Sequence, residues 1–300
     1  MTPRQAALLL IAACAIWGAS FPVVKAALGS ASPLAFVAVR FALATLVLAP
    51  GAGLRALRPG PELAGGLLLG VLLGVGFATQ AVGLVTTTPS RSAFIIAISS
   101  IIAPFVATAV AREPLRAPTA GALALATAGL YLLTAPDAGG LNRGDLWTVA
   151  TALVFGVQIV AVRELGRRYS PDRLVWLQIA TTAVAVAIAA ALLERPHIRW
   201  APGVVAALTY TGVVATAVAL RWQMHAQRHM SSARAALLFC FEPVFAAMAA
   251  WLWLGERLSV AQWTGGALIL AGMVAADLPG GRRSVELGRP RAHIWPPDPE

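Results

Sequence analysis

AIWGASFPVVKAAL (15–28) and LVFGVQIVAVRELG (153–166) superpose when the chain is slid on itself by 138 positions, and that pairing governs how everything around it is read. Gly18 falls on Gly156, Lys25 falls on Arg163, and Ser32-Pro33 fall on Ser170-Pro171. After a shift of five residues, an offset of 143 pairs Gln80 with Gln223, Arg91 with Arg234, Glu113 with Glu256, Leu115 with Leu258 and Gly129 with Gly272. The two halves read as two copies of one unit.

Both stretches sit in long apolar runs. Of 300 residues, 58% are hydrophobic and 12% charged, and the mean hydropathy is +0.75. Soluble domains are about a quarter charged, so a soluble globular chain is excluded. A transmembrane β-barrel would alternate polarity over segments of about ten residues, whereas runs of about 20 apolar residues recur here, as at 63–85 and 204–220. Runs bounded by Gly, Pro and charge predict spans at 6–28, 33–50, 63–85, 91–111, 117–135, 145–165, 172–193, 203–225, 232–254 and 260–278. The predicted fold is an all-α membrane protein of ten transmembrane helices. Five spans per copy is an odd number, so the second copy enters the bilayer from the opposite face. This gives two inverted five-helix repeats around a central cavity, a recurrent design of secondary transporters. The first repeat covers 1–135, a connecting loop 136–144 and the second repeat 145–278; the tail 279–300, rich in Pro, Gly and Arg, is expected to be disordered and cytoplasmic.

The net charge of +10 could suggest nucleic acid, but the basic residues cluster at the ends of apolar runs and no nucleic-acid-binding motif accompanies them. They read instead as a topology signal. One side of the bilayer collects Arg4, Arg55, Arg58, Arg112, Arg116, Arg163, Arg167, Arg168, Arg173, Arg228, Arg282, Arg283, Arg289 and Arg291, the other Lys25, Arg91, Arg143, Arg195, Arg199 and Arg257. That split of 14 against 6 puts both termini in the cytoplasm. The first apolar run begins after Arg4 like a signal peptide but continues for about 20 residues, and is expected to be a retained first helix. A single lysine among 23 basic residues, with abundant alanine, suggests a GC-rich bacterial genome and hence an inner membrane. Cys14 and Cys240 lie in apolar runs without metal spacing and read as core.

The opening AIWGASFPVVKAAL with its following Ser32, Pro33 and Arg40, the stretch EPVFAAMAAWLWLGERLS (242–259) and the closing WTGGALILAGMVAAD resemble the EamA-type transporters of the drug/metabolite transporter superfamily over residues 6–278. The family pattern of a proline followed thirteen residues later by the Glu of "GERL" is intact as Pro243 and Glu256. In the first half Glu113 is present, but Ser100 replaces the proline and Arg112 the glycine, which argues against identical movement of the halves. The resemblance implies ten helices, cytoplasmic termini, a cavity between the repeats, and export of amino acids, other metabolites or cationic drugs.

Charges deep in a bilayer must face protein or water, which singles out Arg40, Arg221, Arg234 and Glu242. Glu242 reads either as a proton-coupling carboxylate or counter-charge for a cationic substrate, or as half of an ion pair with Arg221 or Arg234 that locks helix packing. Gln80 and Gln223 occupy matched depths, as do Ser20 and Gln158, and Ser99 and Ser100 can join them. Amides converging near the pseudo-twofold axis would hold a neutral or zwitterionic solute; the alternative is interhelical glue. Trp17, Phe21, Phe77, Trp222 and Phe239 lie deeper than the aromatics of the expected interfacial belts, Trp147, Trp176, Trp200 and Trp263. Rings beside amides suit a solute with an aromatic or apolar side chain. Pro22, Pro104 and Pro243 are expected to interrupt helices one, four and nine, and Gly66, Gly70 and Gly74 to form a close-packing face.

The expected function is a secondary exporter of small metabolites, amino acids with aromatic or apolar side chains foremost. The alternative is an exporter of cationic drugs or other metabolites with proton coupling at Glu242. No G-x-x-x-x-G-K-[ST] loop is present, so no ATP or other cofactor is expected. His225 and His229 lack a third ligand, so no metal is expected. An intramembrane enzyme needs clustered acids and histidines or a paired nucleophile and base, which one buried acid does not supply, and no catalytic residue is assigned. A channel fits less well than alternating access. The expected partners are a small-molecule substrate and the lipid bilayer, without nucleic acid, in a monomer or homodimer.

Overall fold

The computed structural model describes residues 1–51, 56–115, 117–134, 142–254 and 259–277, and every regular element among them is helical. In chain order these are α1 (Pro3–Ala27), α2 (Pro33–Leu48), α3 (Pro61–Thr86), α4 (Pro89–Ala97), α5 (Ser99–Val110), α6 (Ala117–Thr134), α7 (Arg143–Arg168), α8 (Pro171–Leu193) and α9 (Pro202–Thr209). A π-helical segment (Tyr210–Val218) follows, then α10 (Ala219–Gln227), α11 (Ser232–Phe239), α12 (Phe241–Leu254) and α13 (Val260–Asp277). The signature residues Glu256, Arg257 and Leu258, most of the connecting loop and the tail 279–300 lie outside the described residues.

Local chemistry explains where the helices begin. Proline opens α1, α2, α3, α4, α8 and α9, where its fixed φ suits the first turn and its missing N–H would have had no helical acceptor. Thr2 with Gln5, and Asn142 with Asp145, form reciprocal capping boxes at α1 and α7.

Seven stretches are long and apolar enough to cross a membrane: α1, α3, α4 with α5, α7, α8, α9 through α10, and α11 into α12 up to Ala249. Shorter apolar stretches lie at Pro33–Leu48, Ala117–Leu132 and Trp263–Gly272. Side chains such as Leu46, Val184, Leu192, Leu193 and Val260 remain exposed, as expected of surfaces that face lipid. The chain is a multi-pass membrane protein.

Two features depart from the sequence expectation. Pro22 and Pro104 lie inside the unbroken helices α1 and α5, while the breaks fall at Ile98 and Cys240. Each break lies within two residues of a carbonyl whose helical donor a proline removes, Ser100 for Pro104 and Phe239 for Pro243. The backbone tightens there, Ile98 N–H reaching Ile95 O at 3.1 Å and Cys240 N–H reaching Leu237 O at 3.2 Å. Trp176 is buried between α8 and α2, its indole N–H donating to Thr45 O at 3.2 Å, so it belongs to the core. The aromatics of the expected belt that do stay exposed are Trp147, Trp200 and Trp263.

α3 packs chiefly on α7 and α8, α2 on α8 and the π-helical segment, α1 on α12 and α10, α5 on α7 and α11, and α6 on α13. Glycines set the closest approaches. A Cβ at Gly66 or Gly70 would run into Leu177 and Thr181 of α8 at 2.4 Å, while at Gly74 it would make ordinary contact at 3.6 Å. Cys14 and Cys240 are buried and unoxidised.

At one end of the bundle the loops after α1 and α8 join through an Ala31–Ile198 bridge. There Lys25 Nζ donates to the carbonyls of Leu84, Val85 and Thr87 at 2.6, 3.0 and 3.0 Å, closing the C-terminus of α3. Asp145, fully buried, accepts from Thr87 Oγ1 at 2.7 Å and pairs with Arg91 at 2.8 Å. At the other end Arg163 pairs with Glu113 and donates from Nε to Met230 O at 2.9 Å, and Ser232 N–H donates to Glu113 Oε2 at 3.1 Å. Burial pushes the Glu113 carboxyl above its ordinary range despite Arg163.

Candidate functional site

A cavity lies where α1, α2, α3, α4, α5, α7, α10, α11 and α12 meet. It holds about 790 Å³ free of protein atoms, counting the open space at its mouth. Helical periodicity places its walls. Trp17, Ser20, Phe21 and Val24 are spaced i, i+3, i+4, i+7 on α1, and Leu73, Phe77, Gln80 and Leu84 follow one face of α3 at i, i+4, i+7, i+11.

Twelve residues singled out from sequence line this one cavity: Trp17, Ser20, Phe21, Phe77, Gln80, Ser99, Gln158, Gln223, Phe239 and Pro243, with the charged Arg40 and Glu242. Trp222, Arg221 and Arg234 are not among its lining residues. Arg221 faces outward, 53% exposed, and pairs at 2.8 Å with Asp172, which also lies 3.1 Å from His225 Nε2. The expected Arg221–Glu242 pair is therefore not formed, because the acid that reaches Arg221 stands on α8. Arg234 is in the first turn of α11, its backbone N–H capped by Ser231 Oγ at 3.2 Å.

The aromatic rings form two groups. Phe77 meets Phe41 edge-on at 5.0 Å and Phe155 at 5.5 Å, and Trp17 lies 6.1 Å from Phe239. Part of the polar complement is already engaged. Ser20 Oγ donates to Trp17 O at 2.7 Å on its own helix, and Gln158 Nε2 donates to Gln178 Oε1 at 3.2 Å while Gln158 Oε1 stays buried without a partner. Glu242 has neither a hydrogen bond nor an ion pair among the described residues. The backbone of Glu242 is fixed by the crossing of α1 and α12, where a Cβ on Gly18 would stand 2.7 Å from Glu242 O.

The π-helical segment is the part of the site that sequence reading missed. Its i→i+5 register shows in the Ala219 N–H returning to Val214 O; Thr216 Oγ1 donates to Thr211 O at 2.7 Å, and Ala215 O accepts the Trp17 indole N–H at 2.8 Å. Thr216 Oγ1 also accepts from Arg40 Nε at 2.7 Å. Gln178 was missed as well, lying on α8, away from the matched depths that drew attention to Gln158.

A helical membrane protein with a mixed aromatic and polar cavity among its helices has the architecture of a solute carrier. The model of the EamA-like transporter family matches residues 4–135 and 142–276, and the chain belongs to this family. An "uncharacterized transporter" of Archaeoglobus fulgidus is 31% identical over 264 residues, 88% of this chain and 82% of the relative. A "probable terminal-alkyne amino-acid exporter" of Streptantibioticus cattleyicolor is 31% identical over 143 residues, 47% of each chain. A solved crystal structure, 20% identical, shares the fold at a TM-score of 0.77 over 94% of this chain and 99% of its own.

Proposed function

We propose that this EamA-family transporter exports small metabolites across a bacterial inner membrane, amino acids with aromatic or apolar side chains foremost, by alternating access of two inverted five-helix repeats. The repeats are 1–135 and 145–278, joined by 136–144, with both termini and the tail 279–300 in the cytoplasm. On this reading the three shorter apolar stretches join the seven longer ones as ten spans. The packing supports it, since exchanging the halves turns α3 on α7 into α10 on α1, α3 on α8 into the π-helical segment on α2, and α1 on α12 into α7 on α5. The breaks at Ile98 and Cys240 and the cations Lys25 and Arg163 are related by the same exchange.

One observation carries the substrate reading: residues from both halves close a cavity whose walls pair aromatic rings with glutamine amides. Rings supply area to an apolar side chain while amides orient a polar end. The name of the Streptantibioticus relative points the same way. The test is counterflow in proteoliposomes: purified protein preloaded with unlabelled leucine or phenylalanine is expected to draw in the labelled amino acid. Absence of counterflow for every amino acid tried would refute the reading.

A second reading, proton-coupled export of cationic drugs or other metabolites, is favoured by the carboxyl of Glu242 at the cavity, which has no partner among the described residues. Transport driven by an imposed pH gradient and uncoupled by Glu242→Gln would select it; gradient-independent transport that survives in the variant would leave a facilitator.

A further inference from the structure

Arg40 is a buried cation with an unused edge. It is 3% exposed, its Nε–H is committed to Thr216 Oγ1, and Nη2 is buried with no hydrogen-bond partner. No acid pairs with it among the described residues. Its guanidinium lies over Phe77 at 4.7 Å from the ring centre and 5.7 Å from that of Phe41. A guanidinium is flat with its donors in plane, so stacking uses a face, Nε uses one side, and the Nη pair remains as the fork that grips a carboxylate with two parallel bonds. A cation held in a bilayer without an anion is strongly unfavourable, and Arg40 lines the cavity in which a solute would complete it.

We propose that Arg40 is the specificity-determining residue of the cavity and that the substrates are amino acids with a free carboxylate, gripped by the Nη edge of Arg40 while the apolar side chain lies along Phe77 and Phe155. This rests on the transporter reading above and narrows it: amides, decarboxylated amines and cationic drugs lack the anion that Arg40 requires.

The experiment is competition in leucine counterflow with the full chain in proteoliposomes, using unlabelled leucine, leucinamide and isopentylamine as competitors. In the unaltered protein leucine is expected to compete at least about tenfold better than the other two, because a site built around a charged hydrogen-bond partner rejects analogues that lack it. Arg40→Gln is expected to erase that preference, and Arg40→Lys, which keeps the charge and loses the fork, to retain part of it. Leucinamide competing as well as leucine in the unaltered protein would overturn the proposal without recourse to any variant, and would leave the transporter reading standing. An Arg40→Gln protein with undiminished preference would also overturn it. Failure of all amino acids in the unaltered protein would sink this inference together with the reading on which it rests.

Discussion

Replacing Gly18 by alanine tests the crossing of α1 and α12 beside the cavity. A Cβ at this position would stand 2.7 Å from the carbonyl oxygen of Glu242, 2.7 Å from the amide nitrogen of Ala246 and 2.8 Å from Cβ of Phe245. Two of these are backbone atoms of α12 that no rotamer change can move. Relief requires the helices to separate by about 0.7 Å to reach ordinary contact at 3.4 Å. Overpacking of this kind costs about 1–3 kcal/mol, and the better helix propensity of alanine returns about 1 kcal/mol, leaving a net loss of up to about 2 kcal/mol. At Gly121 nothing lies within 4 Å of such a Cβ, so Gly121→Ala is the control and is expected to be neutral or slightly stabilising. Thermal unfolding of the two purified variants in the same detergent, alongside leucine counterflow, reads both effects. Gly18→Ala should melt several degrees below the control and transport more slowly, because α1 carries Trp17 and Phe21 and α12 carries Glu242. A Gly18→Ala protein as stable and as active as Gly121→Ala would refute the close crossing.

Asp145→Asn is expected to cost about 1–3 kcal/mol in thermal stability, since it weakens the pair with Arg91 and turns an acceptor of Thr87 Oγ1 and Asn142 N–H into a partial donor; unchanged melting would show that this buried acid is dispensable. Trp17→Phe keeps a ring in the cavity wall but removes the indole N–H that Ala215 O accepts, with an expected loss of about 1 kcal/mol, against about 3–5 kcal/mol for Trp17→Ala. Equal losses in the two variants would assign the whole effect to the indole hydrogen bond, and no loss in Trp17→Phe would assign it to ring packing. For Glu113, burial raises the folded-state pKa above the ordinary 4.5, so its contribution to stability is complete below that value and is lost as the pH rises through the folded value. The stability of the unaltered protein relative to Glu113→Gln should therefore be largest near about pH 4 and shrink toward neutrality; a difference that grows with pH would reverse the assignment.

Hydropathy depends only on which residues follow one another, so it places the apolar runs well: the expected 63–85 and 172–193 meet helices at Pro61–Thr86 and Pro171–Leu193. Internal repetition likewise brings Gln80 and Gln223 to one cavity from sites 143 positions apart. Hydrogen-bond register is different, because nothing in the residue types of 210–218 marks an i→i+5 pattern, and the breaks at Ile98 and Cys240 are displaced from the prolines that contribute to them. Arg40 and Arg221 look alike in sequence, each an arginine flanked by apolar residues. Remote partners separate them: Thr216 and Phe77 hold one inside, and Asp172 draws the other out. Lys25 was visible as the counterpart of Arg163, but its acceptors are main-chain carbonyls, which carry no signature in sequence.

The seating of α3 on α7 and α8 has a consequence for biogenesis. Both partners are synthesised after α3, so while the ribosome is still translating the first 142 residues, Gly66 and Gly70 have neither Leu177 nor Thr181 to receive them. α3 leaves the translocon with this glycine face turned toward lipid, held at depth by hydropathy and its few contacts with α1, α2 and α4, and gains its main packing only when α7 and α8 arrive. A gene cut between α6 and α7 would yield two fragments that mature only when made in the same membrane.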